Sequence, residues 1–298
     1  MRILIIGSEG FIGSHLRDHF RSEKQNEVFG CDIFEKESAD YFRVDQYASS
    51  FDSIFEKQKF ELCIFAGGNG SVPYSLEKPD IDFQLNTNTV NNLLSSIVKH
   101  QPQCKFLHMS SAAVYGSPVS LPINEGAVIK PISPYGWHKY LSEIICKKYY
   151  SLYNVQTVSL RVFAVYGERL RKQLFWDIYQ KILKSNEVTL FGTGNESRDF
   201  INIRDLVQAI DVVIKKGEFN GEVYNVSSGK ETTIREAATI ICNVYDKELK
   251  VSFSGQSKPG DPINWRADIS KLSVLGFKAK VELQEGLEKY VKWLKEKE

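Results

Sequence analysis

The stretch "SPYGWHKYLSE" places Tyr135 and Lys139 four residues apart, so on a helix the phenol and the ammonium stand on one face, one turn apart. A free phenol titrates at about 10. A neighbouring ammonium is expected to draw it down toward the range of a usable base. Such a tyrosine can take the proton of a hydroxyl while hydride leaves the carbon beneath it. Upstream, "HMSSAAVYG" sets Ser110 and Ser111 at the end of an apolar run, Ser111 lying 24 residues before Tyr135. A hydroxyl there can share the same proton. Taken alone, both features are common: tyrosine and lysine at helical spacing decorate many surfaces, and serines after a strand form turns and caps. Their weight depends on a hydride acceptor nearby.

The first residues supply a place for one. In "RILIIGSEGFIG" an apolar run stops at Gly7, with Gly10 and Gly13 following at intervals of three and Phe11 and Ile12 between them. Three glycines where a strand turns into a helix indicate close backbone approach, and the helix amides they uncover suit an anion such as a pyrophosphate. The next strand, "EVFGCD", ends at Asp32, 25 residues after Gly7. A carboxylate there accepts both ribose hydroxyls of an adenosine and repels a 2′-phosphate, which selects NAD over NADP. Asp45 and Gln46 of "RVDQY", and Phe65, Ala66 and Gly67 of "FAGG", follow later strands and are expected to line the same crevice.

These residues need a scaffold that brings strand ends together. "RILII", "EVFGCD", "LCIFAG", "KFLHMS" and "TVSLRVF" read as strands, alternating with helical patterns in "FIGSHLRDHFRSE", "DIDFQLNTNTVNNLLSSIVKH" and "SPYGWHKYLSEIICKKYYSLY". That alternation predicts an α/β fold built on a doubly wound parallel sheet. After about Gly167 the rhythm changes to short strands ("VTLF", "EVYNV", "LKVSF") and three further helices, read as a smaller α/β lobe with segments returning to the first. With 42% hydrophobic and 25% charged residues, the 298-residue chain has a globular composition. A net charge of +1 argues against a nucleic-acid partner. Five scattered cysteines, no leader-like segment and no apolar window of membrane-spanning length predict a cytoplasmic protein with reduced thiols. The five histidines suggest no ligand cluster, so no metal is expected.

The ordered motifs "GSEGFIG", "FAGG", "SLEKP", "NTNTVNNLL", "SSAAVYG", "SPYGWHK", "FGTGNESRDFINIRDL", "YNVSSG" and "KPGDPINWRADISKL" cover nearly the whole chain. Together they resemble the extended short-chain dehydrogenase/reductase family, specifically its NAD-dependent nucleotide-sugar epimerases and dehydratases, UDP-glucose 4-epimerase among them. The resemblance implies a Rossmann-type NAD-binding domain over 1–166 and a lobe mainly for substrate over 167–298. It makes Ser111 the catalytic hydroxyl, Tyr135 the base and Lys139 its helper and a contact for the nicotinamide ribose. Asn86 falls near the active site. Arg198 and Lys258 match positions that grip the substrate diphosphate, and Gln173 and Leu174 in "ERLRKQLFWD" are expected substrate contacts. Three departures stand out. The dehydratases' leaving-water acid is replaced by Ala113, the asparagine that many epimerases carry in an "RxFNxYG" stretch by Ala164, and the epimerases' usual arginine before "PGD" by Lys258. The implied activity is NAD-dependent epimerisation of a nucleotide-diphosphate sugar at C4. A 4-keto-6-deoxysugar reductase and a non-catalytic dinucleotide-binding module stand as alternatives. The family also implies a homodimer, formed through the tyrosine helix and its neighbour.

Overall fold

Apolar strands buried on both faces need a layer on each side, which is the condition for a parallel sheet. The computed structural model describes residues 1–256 and 263–297 and shows that sheet. The strands are β1 (Arg2–Ile6), β2 (Glu27–Asp32), β3 (Tyr41–Arg43), β4 (Leu62–Phe65), β5 (Lys105–Ser111) and β6 (Thr157–Val162), followed by β7 (Ala164–Tyr166), β8 (Glu187–Leu190), β9 (Ser197–Asn202), β10 (Asn220–Val226), β11 (Glu231–Thr233) and β12 (Lys250–Phe253). The helices are α1 (Phe11–Ser22), α2 (Asp52–Lys57), α3 (Val72–Glu77), α4 (Pro79–Phe83), α5 (Thr89–His100), α6 (Pro134–Tyr153), α7 (Gln173–Ile182), α8 (Ile203–Lys216), α9 (Ile234–Tyr245), α10 (Ser270–Val274) and α11 (Leu283–Lys295).

Seven strands form the large sheet in the order β3-β2-β1-β4-β5-β6-β10. The pairs from β3 through β6 are parallel. Strand order reverses between β1 and β4, so their carboxyl ends open a crevice there. Alternation along β1 sends Leu4 and Ile6 into a cluster with Phe55 of α2, Leu93, Leu94 and Ile97 of α5 and Cys146 and Tyr149 of α6, which covers one face of the sheet. The segment expected as one helix over "DIDFQLNTNTVNNLLSSIVKH" is helical throughout, but a π turn at Gln84–Asn88 separates α4 from α5.

The chain divides into two compact units. The first holds Met1–Gly116, Ile129–Val162 and Asp211–Tyr224, and the second Ser117–Val128, Phe163–Ile210 and Asn225–Glu298. "EVYNV", read in the sequence among the short strands of the later lobe, belongs to β10 at the edge of the large sheet. In the second unit β11-β9-β7 and β12-β8 form small sheets, and Phe175, Ile178, Ile241, Leu287 and Tyr290 build its core from α7, α9 and α11. All five cysteines are buried free thiols. Among the described residues no helix is long and apolar enough to cross a membrane.

Candidate active site

At the end of β1 the three glycines separate into two jobs. Gly7 has φ +82°, and a Cβ on it would lie 2.6 Å from the backbone nitrogen of Gly67. A Cβ on Gly13 would lie 2.0 Å from the Gly7 carbonyl oxygen. Both therefore serve the turn itself, letting β1, β4 and α1 meet. A Cβ on Gly10 would meet only the Gly7 oxygen at 3.2 Å, so this residue leaves open space beside the N-terminus of α1. That terminus has no side-chain cap and no acidic residue in its first turn. Its free amides keep their anion-binding capacity. Asp32, at the tip of β2, accepts from the Glu9 amide and the Ile33 amide, each at 2.8 Å, which pins its carboxylate to the glycine turn. An uncapped helix end, an open cradle at Gly10 and a fixed carboxylate at the next strand end fit a dinucleotide.

Gly10→Val is expected to keep the fold, since only one carbonyl need yield by a few tenths of an ångström, and to abolish dinucleotide binding by filling the cradle. Titration calorimetry with NAD beside a thermal melt checks both halves of this expectation.

The remaining cofactor candidates divide by exposure. Asp45 and Gln46 lie exposed after β3, and Ala66 and Gly67 lie half-buried after β4, with the Ala66 amide donating to the Ile6 oxygen at 2.9 Å. The Phe65 ring is buried in the core and stacks on His108, 6.1 Å between centroids. Its side chain belongs to the core, so any contact with a ligand in the crevice falls to its backbone.

Ser111 ends β5, where its hydroxyl accepts the Ala113 amide at 3.2 Å and so caps the short 3-10 turn Ala112–Tyr115. The same side chain acts on the Tyr135 phenol in the direction that favours its ionised form. Tyr135 is the second residue of α6, a helix started by Ser133, whose hydroxyl accepts the Gly136 amide at 3.2 Å. The Tyr135 amide donates to Ser75 Oγ at 3.1 Å. A Cβ on Gly136 would sit 2.5 Å from the Ala113 oxygen, which shows how tightly the start of α6 presses on the end of β5. One turn on, buried Lys139 donates from Nζ to the Met109 oxygen at 2.9 Å and stands 5.9 Å from the Tyr135 ring centroid. Ser110 is turned elsewhere, its hydroxyl donating to Glu143 at 2.5 Å.

The lowering of the Tyr135 pKa expected from Lys139 is corrected by this arrangement. Burial pushes the phenol up to about 12; the Ser111 hydrogen bond opposes that rise and the Asp82 charge adds to it. Removing water from a phenolate costs more than the ammonium, held by the Met109 carbonyl, returns.

A further polar cluster was not anticipated from the sequence. Asp82, fully buried, accepts from Asn69 Nδ2 at 2.6 Å and Asn86 Nδ2 at 3.0 Å, and pairs with His138 Nδ1 at 2.5 Å. His138, read as an unremarkable side chain, thus ties α6 to α4, and Asn86 sits inside the π turn that aims it at Asp82. The other end of Asn86, Oδ1, is buried without a hydrogen-bond partner. The one sequence signal was an aspartate and an asparagine four residues apart upstream of the tyrosine motif. Asp82→Leu is expected to leave the buried Asn86 amide unpaired, costing about 1–3 kcal/mol, and to strip Asn69 and His138 of their partner; a urea unfolding midpoint well below that of the parent protein checks this. His19, Glu23 and Asp211 bring ligand-type atoms within 4.8 Å of one another, though 192 positions separate His19 from Asp211. Lys215 Nζ already bridges both carboxylates, at 3.1 and 2.7 Å.

In the second unit Arg198 lies on β9, its Nη1 donating to the Ser197 oxygen at 2.7 Å and its guanidinium 5.5 Å from the Trp265 ring. Gln173, with φ +66°, begins α7 exposed, and Leu174 is half-buried against that unit's core. Arg171, two residues before Gln173, faces the rings of Trp176 and Trp293. Lys258 lies outside the described residues.

A doubly wound sheet with an uncapped glycine turn at its switch point, and a serine, tyrosine and lysine gathered at the end of β5, define a dinucleotide-binding α/β enzyme. Residues 3–227 match the NAD dependent epimerase/dehydratase family, and the chain belongs to it. It is an NAD-dependent enzyme. A Methanocaldococcus jannaschii protein is 30% identical, with 98% of each chain covered. Among solved structures, UDP-glucuronic acid 4-epimerase from Bacillus cereus, in complex with UDP-glucuronic acid and NAD, is 27% identical with a TM-score of 0.91 and full coverage of both chains. UDP-glucose 4-epimerase from Thermotoga maritima, with UDP-glucose, is also 27% identical with a TM-score of 0.91, covering 100% of this chain and 99% of that one.

Proposed function

We propose that this enzyme epimerises a nucleotide-diphosphate hexose at C4 through a transient 4-keto sugar, with UDP as the carrier nucleotide. The observation that carries the reading is the hydroxyl–phenol–ammonium group at the end of β5, beside which Ala112 and Ala113 offer no acid for expelling water. Two structural relatives named as UDP-sugar 4-epimerases support the same reading. Tyr135 takes the proton from the 4-hydroxyl, and Ser111, at the end of β5, shares it. Lys139 holds the nicotinamide ribose and keeps positive charge beside the phenol as its proton moves. Bound NAD supplies a site that stores the C4 hydride and returns it. Gly7, Gly10, Phe11, Ile12, Gly13 and Asp32 hold that cofactor, with Asp45, Gln46 and the 65–67 backbone at its edges. Asn86 orients the sugar side, and Gln173, Leu174, Arg198 and Lys258 bind the nucleotide-sugar.

Within the cytoplasm the enzyme works as a homodimer, a reading supported by Trp137 and Ile144, which leave apolar surface exposed on α6. Proton NMR of the purified protein with UDP-glucose or UDP-glucuronic acid, and no added cofactor, tests the activity. A C4 epimer is expected. Silence with both, together with consumption of NADH on a 4-keto-6-deoxysugar, would make the enzyme a reductase.

A further inference from the structure

We propose that Glu9, inside the glycine turn, sets the cofactor preference of this chain by occupying two cations, Arg17 and Lys36, that would otherwise receive a 2′-phosphate. The inference rests on the reading that Asp32 receives the adenosine ribose. Glu9 is joined to that carboxylate through its own backbone, which donates to Asp32 Oδ2 at 2.8 Å. Its side-chain Oε1 pairs with Arg17 Nη1 from α1 and with Lys36 Nζ at 3.3 Å, and accepts the Ser8 hydroxyl at 3.4 Å. Lys36 also stands 5.6 Å from the Tyr41 ring of β3. Arg17 Nε is buried without a hydrogen-bond partner, a donor still unspent.

The local charges balance, two carboxylates against two cations. A 2′-phosphate carries about two negative charges. It would meet Asp32 and Glu9 as like charges while the guanidinium and ammonium are held by Glu9. Neutralising Glu9 reverses both terms: one repulsion disappears, and a planar guanidinium fork and an ammonium become available for charge-assisted bonds to phosphate. Asp32 alone therefore does not explain a preference for NAD, because two cations pair with the side chain of the residue whose amide holds Asp32.

The test measures binding rather than turnover. Dissociation constants for NAD, NADP and adenosine 2′,5′-bisphosphate are determined on the purified protein, on Glu9→Gln, and on Glu9→Gln/Arg17→Gln/Lys36→Gln, with a thermal melt for each. The expected result is that Glu9→Gln tightens NADP and the bisphosphate by about tenfold or more relative to NAD. The gain should shrink as salt is raised and vanish in the triple variant. An unchanged NADP-to-NAD ratio in a folded Glu9→Gln protein overturns the proposal, as does a gain that survives removal of both cations. Glu9→Ser, which removes the charge with a smaller side chain, decides the matter if Glu9→Gln does not fold. A parent protein that binds no NAD would instead overturn the reading of Asp32 and the crevice beneath it.

Discussion

Tyr135→Phe is expected to reduce turnover by about 10²- to 10⁴-fold, the range that a lost general base produces. The phenyl ring keeps its place because α6 is anchored by Ser133 and by the Tyr135 amide on Ser75, neither of which involves the phenol oxygen. What disappears is one hydroxyl and its interaction with Ser111. Binding of NAD and of the nucleotide sugar should therefore persist while kcat falls, a split that distinguishes chemistry from folding. The pH dependence has a definite sign. Burial raises the phenol to about 12, so in the isolated protein it stays protonated through neutrality. Phenolate, and with it any rate limited by proton abstraction, should rise with pH across that range. An ultraviolet difference titration of the parent against Tyr135→Phe should show no phenolate signal from this residue at pH values where free tyrosine already ionises. A Tyr135 signal appearing at or below about 10 would show that Lys139 dominates after all.

The second large effect is on stability. Behind the candidate site, Glu143 of α6 holds Arg161 of β6 by hydrogen bonds of 3.0, 3.3 and 2.7 Å, and both side chains are nearly inaccessible to solvent. Arg161 also donates to the Tyr115 hydroxyl at 2.9 Å, while Ser110 donates to Glu143. Arg161→Met would strand a carboxylate in the interior, and breaking such a pair costs about 3–5 kcal/mol. Chemical denaturation should show a loss of that size. Adding Glu143→Leu to the same protein should recover much of it, because an apolar replacement of both partners removes the stranded charge. A double variant no more stable than the single one would mean that the cost lies in packing against Tyr115 instead.

The parts of the fold legible in the sequence share one property, that their signal is local. "RILIIG" ends a buried strand at a glycine whose positive φ demands it, and Tyr135 and Lys139 face the same way because a helix repeats every 3.6 residues. Alternating strands and helices were enough to predict a doubly wound sheet. The illegible parts depended on distant neighbours. β7, β9 and β11 are three to six residues long, too short for periodicity to register, and their partners lie 32 to 36 positions away. The π turn at Asn86 breaks an otherwise regular helical pattern without any proline or glycine.

By itself, the sequence determined the family and singled out the glycine turn and Ser111, Tyr135 and Lys139 as the candidate site, because each is written in residue types at short spacing. Only the tertiary structure decided that Gly10, rather than Gly7 or Gly13, leaves room for a ligand, that Asp82 joins Asn69, Asn86 and His138, and that Glu9 holds Arg17 and Lys36. It also reversed the expected direction for Tyr135, since desolvation is set by everything packed around a group and not by the residue one helical turn away.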